Sequence, residues 1–163
     1  MIDTTSINTI VSRKYLPAAL EIKKWEDVEK YFNELLQRPV EDAEALWRWM
    51  SDRSELESVL QEDLGWRYIR MSCDTASEEY KNAFNFFVSE IQPRIAPVSN
   101  ELDKQLVANP FINELKQPGL EIYLRQVRKR IEIYRDENIP LIAELQQQEN
   151  KYKSEQEIIN GNT

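Results

Sequence analysis

Between Glu62 and Asp74 the chain carries its densest mix of carboxylates, guanidinium groups and aromatic rings: Glu62, Asp63, Trp66, Arg67, Tyr68, Arg70 and Asp74. On a helix, Asp63 and Arg67 stand four residues apart, as do Arg70 and Asp74, so each pair can meet on one face. Two readings follow. In one, Asp63, Trp66, Arg67, Arg70 and Asp74 form a charged pocket that grips a peptide terminus or carboxylate. In the other they are ion pairs flanking a tryptophan-containing core, a common arrangement that contributes little when exposed. Asp63 and Arg70 share a helical phase with Leu56, Val59, Trp66 and Cys73, which predicts partial burial of some of these charges.

Other chemistry is bounded by what is missing. None of the 163 residues is histidine, and Cys73 is the one cysteine. The usual general base, the usual partner of a Ser or Cys nucleophile and the commonest metal ligand are therefore all absent. Neither a His/Cys zinc site nor a Ser-His-Asp triad can be built. Glu62-Asp63 and Glu78-Glu79 are adjacent in sequence, so on a helix their carboxylates diverge instead of sharing a cleft. Cys73 reads as a small core residue, and Trp25, Trp47, Trp49 and Trp66 as core or interface anchors. Arg125, Arg128, Lys129 and Arg130 form a basic cluster offset by Glu121, Glu132 and Asp136, which reads as a solvated helix flank. No phosphate-binding glycine loop occurs. The residues alone predict no catalytic, cofactor-binding or metal-binding residue.

Positioning falls to helices. Three glycines and abundant Glu, Leu, Gln and Arg favour helix over sheet. Residues 1–24 read as an irregular leader, 25–152 as one helical domain and 153–163 as a frayed tail. A first helix is predicted over 25–38, stopped by Pro39, and a second over 41–71 with an offset at 51–54. Thr75-Ala76-Ser77-Glu78 has capping-box spacing. Tyr80, Phe84, Phe87 and Ile91 then set a phase that Ile95, Val98, Leu102 and Leu106 continue, with a kink or break expected near Pro93 and Pro97. Asn109-Pro110 and Pro118-Gly119 mark turns. Leu120, Leu124, Val127, Ile131, Tyr134, Asn138, Leu141, Leu145, Gln148 and Tyr152 keep a four-three spacing that predicts one long helix, bent at Pro140. The expected fold is all-α: antiparallel helical hairpins with long, coiled-coil-like and proline-kinked helices.

The net charge of −8 argues against nucleic acid or an anionic membrane as partner. No apolar run approaches the roughly 20 residues of a membrane span. The first residues lack a secretory pattern and one cysteine offers no disulfide framework, so a cytoplasmic location is expected.

Several segments, taken in order, carry a resemblance. They are Arg13-Lys14-Tyr15-Leu16-Pro17, Trp25-Glu26, 52–60 (beginning Asp52-Arg53-Ser54-Glu55) and 66–75 (beginning Trp66-Arg67-Tyr68). Phe86-Phe87-Val88, Glu90-Ile91-Gln92-Pro93, Tyr123-Leu124-Arg125 and Glu137-Asn138-Ile139-Pro140-Leu141 follow. Together they resemble the N-terminal helical region of the oligoendopeptidase F type of zinc metallopeptidase, relatives of thimet oligopeptidase, over about 13–152. The resemblance implies large, mostly helical cytoplasmic enzymes that hydrolyse short peptides in a deep channel. It also implies that these helices form one wall of that channel, with zinc held downstream by a His-Glu-x-x-His helix and a further Glu. None of those ligands is in this chain. Zinc is thus expected only in a full-length relative, peptides are expected as substrates only of the whole enzyme, and the chain alone is expected to be inactive. The expected partner is the remainder of a peptidase chain, or a second copy joined through the 120–152 stripe. The alternative is a free-standing helical interaction or homodimerisation module.

Overall fold

The computed structural model describes residues 13–161, with the side chains of 150, 151 and 153–161 excepted. Part of the expected leader, residues 1–12, and the last two residues of the expected tail lie outside the described residues. The described chain is all-α, in the order α1 (Glu26–Gln37), α2 (Ala43–Cys73), α3 (Glu78–Phe86), a π turn (Phe87–Ile91), α4 (Gln92–Ala108), a 3-10 turn (Pro110–Glu114), α5 (Leu120–Ile133) and α6 (Asn138–Gly161).

Local chemistry sets the boundaries. Asp27 accepts hydrogen bonds from the Lys23 and Lys24 backbone amides at 2.8 and 3.0 Å, closing the entry to α1. Pro39 follows its C-cap, Arg38, which has left helical geometry. Asp42 caps α2 by accepting from the Ala45 amide at 2.6 Å. With no glycine or proline before Gly65, α2 runs unbroken for 31 residues, roughly 46 Å. The expected offset at 51–54 does not occur.

The next start lies two residues beyond Thr75. Ser77, not Thr75, is the N-cap, accepting from the Tyr80 amide, and the Thr75-to-Glu78 box does not form. From Glu78 the chain stays helical to Ala108, through both prolines. The irregularity sits just ahead of them, in the π turn. Pro93 has no N–H, and its ring would press on the Ser89 carbonyl in a regular helix; the wider turn relieves that contact.

The predicted long helix over 120–152 is two helices. Tyr134 caps α5 in extended geometry, and 135–137 turn the chain before α6 begins. Pro140 explains the break: its ring conflicts with a helical Asp136 carbonyl, whereas the first turn of a new helix tolerates it. Helical backbone then continues to Gly161, across the segment expected to fray from Lys153.

Residue pairs give the topology. Arg67 meets Ala83, and Arg53 meets Asp103, so α2 runs antiparallel to the α3–α4 helix. Asp103 meets Arg130, so α5 returns along α4. The core between them holds Phe32, Leu35, Leu46, Leu56, Ile91, Leu102, Leu106 and Val127, all essentially inaccessible. α6 packs against α4 and the π turn, and the irregular segment before α1 inserts Leu16 and Ile22 into the same core.

Candidate functional site

The inward face of α2 follows Leu46, Trp49, Arg53, Leu56 and Leu60, then Asp63, Leu64 and Arg67. That phase divides the charged cluster. Arg67 points inward: its Nε donates to Asp63 Oδ2 at 2.6 Å, Nη1 to the Ala83 carbonyl at 2.9 Å and Nη2 to the Ile22 carbonyl at 2.6 Å. Its guanidinium also lies 5.5 Å from the Phe87 ring centroid. Each terminal nitrogen of the fork already serves a backbone carbonyl, so Arg67 staples the entry segment, α2 and α3 together. Trp66, Arg70, Cys73 and Asp74 stand on the outer flank instead, exposed.

The structure therefore brings Asp63 and Arg67 together and leaves Trp66, Arg70 and Asp74 apart from them. Arg70 and Asp74 meet through the backbone, where the Asp74 amide donates to the Arg70 carbonyl. Cys73 is a surface thiol, not the core residue expected, because the last turns of α2 extend past the helices that cover its middle. Trp25 and Trp49 are core anchors, with the Trp49 indole N–H donating to the Leu35 carbonyl at 2.9 Å, whereas Trp47 and Trp66 are largely exposed.

A more deeply buried network lies mid-molecule. Arg53 and Asp103 are each 2 % exposed. Asp103 Oδ1 accepts from Arg53 Nη2 at 2.6 Å and from Arg130 Nη2 at 2.9 Å, while Oδ2 accepts from Arg130 Nε at 2.9 Å. Arg53 Nε turns the other way, to Glu57 Oε1 at 2.7 Å. One carboxylate thus ties α2, α4 and α5. Burial alone would depress the Arg53 guanidinium, but Glu57, Tyr123 and Asp103 outweigh it and raise its pKa. Phase could have shown Arg53 from the start, since it falls between Trp49 and Leu56 on the apolar stripe. Asp103 carried no such signal, because its apolar neighbour Leu102 already satisfied the helical spacing.

A third set holds the entry segment. The Glu55 carboxylate accepts three successive backbone amides, from Lys14, Tyr15 and Leu16, at 2.9, 3.1 and 2.8 Å. Burial works to raise this carboxyl, but the amides and Arg13 hold it below its ordinary value. Beside it, Arg38 donates from Nε and Nη2 to Glu34 and from Nη1 to Asp52, and its hydrogen bonds lower the Glu34 carboxyl.

These groups lock helices; none has a nucleophile facing a base. Among the described residues no three Cys, Asp or Glu side chains come together as a metal-ligand set, and without histidine the chain does not fit a peptidase zinc. No described helix is long and apolar enough to cross a membrane.

Residues 17–134 match the family model of the Peptidase M3 N-terminal domain. The chain belongs to this family. The matched span opens at Pro17, just after the residues that Glu55 pins, and closes at Tyr134, the C-cap of α5, so it takes in the Arg67 and the Asp103 networks. This M3 N-terminal domain is the thimet oligopeptidase-like kind of helical region, and α6 lies beyond the match. No curated protein and no solved structure matches the chain.

Proposed function

We propose that this chain is the non-catalytic N-terminal helical part of an oligoendopeptidase F-type zinc metallopeptidase that hydrolyses short peptides in the cytoplasm, and that its helices form a wall of the substrate channel. The observation that carries the reading is the family match, joined to a bundle whose charged groups are spent on holding helices in place. Exposed apolar side chains on α6 support it further. Leu141 and Leu145 are 56 % and 58 % exposed, a row for which the remainder of a peptidase chain is the natural cover. The same row favours the second reading, self-association of a free-standing module, though through α6 and not the whole 120–152 stripe, since Leu120, Leu124 and Val127 are buried in the chain's own core.

Zinc enters this account only through a full-length relative. The purified chain, assayed against short quenched-fluorescent peptides with and without added zinc, is expected to show no chelator-sensitive turnover above blank. Such turnover would overturn the non-catalytic assignment.

A further inference from the structure

α6 lies along the α3–α4 helix, with its first turns beside Pro93 and Ala96 and its later turns beside Phe84 and Val88. Each of α1 to α5 sinks at least one residue into the interior. Among the described residues α6 sinks none: Ile139, Ala143 and Gln146 are partly covered, and the rest of 138–149 is exposed.

The seam beneath α6 is loosely made. Clefts of about 330 and 170 Å³ run along it, so the facing side chains forgo part of their dispersion contact. The Oε1 atoms of Gln92, on α4, and Gln146, on α6, are shut away from solvent in this seam. Neither accepts a hydrogen bond among the described residues. An acceptor that loses its water and gains no donor opposes burial, so both amides work against docking. Nothing polar compensates. Among the described residues no hydrogen bond or ion pair links 138–149 to another helix, and the Gln148 amide donates within α6, to Glu144.

The join to the bundle is equally light. α5 ends at Tyr134, and 135–137 form an exposed turn before α6. The family match stops at the same residue, so the matched unit does not include α6.

We infer that α6 is a detachable strap, which swings away as a unit about 134–137 and uncovers a groove of Leu64, Tyr68, Phe84 and Val88 while α1 to α5 stay folded. Opening returns both glutamine oxygens to water and breaks no charge network, since those networks tie α2 to α3, α4 and α5. The strap rests on this chain's own helices and stands whether or not they form a channel wall.

The test is hydrogen–deuterium exchange of the full chain, comparing α4 with α6. Amides of 142–149 are expected to exchange together, at least about a hundredfold faster than those of 100–106. Equal protection would overturn the inference. A rate that climbs steadily toward Gly161 would mean fraying of a helix end and would overturn it too. Gln146→Leu replaces a stranded acceptor with apolar cover and is expected to slow α6 at least about tenfold without changing α4. No slowing in the folded variant would remove the seam as the cause. Thiol labelling checks that the groove is uncovered. In a Cys73→Ser background, Val88→Cys lies in the seam and Val127→Cys in the core; the native valines are 1 % and 0 % exposed. Val88→Cys is expected to react with a maleimide at least about a hundredfold faster than Val127→Cys. Equal rates would mean that the groove opens only with the whole bundle and would overturn the strap. If either cysteine variant fails to fold, exchange in the unaltered chain decides.

Discussion

Asp103 is the residue on which most of the bundle's charge balance turns. It offsets Arg53 in an environment that excludes water and receives a two-pronged contact from Arg130. Removing one partner of a buried pair leaves an uncompensated charge, which costs about 3–5 kcal/mol. Asp103→Ala is therefore expected to lower stability by about that amount in urea unfolding, and Asp63→Ala by no more than about 1 kcal/mol. The contrast arises from burial: Arg53 and Asp103 are almost inaccessible, whereas Asp63 is partly exposed and Arg67 keeps its two carbonyl partners when Asp63 is removed. Glu55 gives a residue-level pH dependence with a definite sign. Its folded carboxyl sits below the ordinary glutamate value of about 4.3, so near that pH the unfolded chain binds more protons. The stability it contributes is complete above that range and is lost as pH falls through the depressed value. Glu34 is depressed in the same direction and contributes a parallel loss on acidification. Glu55→Gln is expected to narrow the gap between melting temperatures at neutral and at acid pH without closing it, because Glu34 still titrates. An unchanged gap would remove Glu55 from the acid response.

The helices themselves were largely legible, because stops and caps are local. Pro39 and Asp42 bracket the α1–α2 connection within a residue or two of where spacing placed it. Misreadings came where two local rules compete. Thr75 and Ser77 both suit an N-cap, and the three-residue spacing to Glu78 favoured the wrong one. Across 120–152, a continuous four-three stripe outweighed Pro140 on paper, while in the structure the ring decides and the phase changes at the break. Past it, the partly covered face of α6 is Ile139, Ala143 and Gln146, not Leu141 and Leu145. The sequence left the charged cluster open between a gripping pocket and ion pairs flanking a core, and its division into inward Asp63 and Arg67 and exposed Trp66, Arg70 and Asp74 needed the α2 phase carried forward from Arg53 to Arg67. Gly119, between 3-10 turn and α5, is the element-scale position where backbone conformation is decisive, with φ +83°. Gly119→Ala places a Cβ in the left-handed region and is expected to cost about 1–2 kcal/mol in the same unfolding measurement. No stability change would mean that the turn relaxes without glycine.

At the scale of the molecule, two antiparallel helices of similar length and a third returning along them enclose one core, and buried charges fix their relative positions. That construction is closed where its helices cover one another and apolar where they do not, at the exposed row of α6. The chain has neither histidine nor an assembled metal-ligand set among its described residues, so the peptidase reading requires chemistry supplied from elsewhere. The most direct measurement is to sequence the coding DNA beyond the Thr163 codon and read all three frames. The account predicts a His-Glu-x-x-His motif there, in frame or one slip away, encoding the zinc helix that the proposed function requires. An unrelated gene or a clean terminator would contradict it and leave a free-standing helical module.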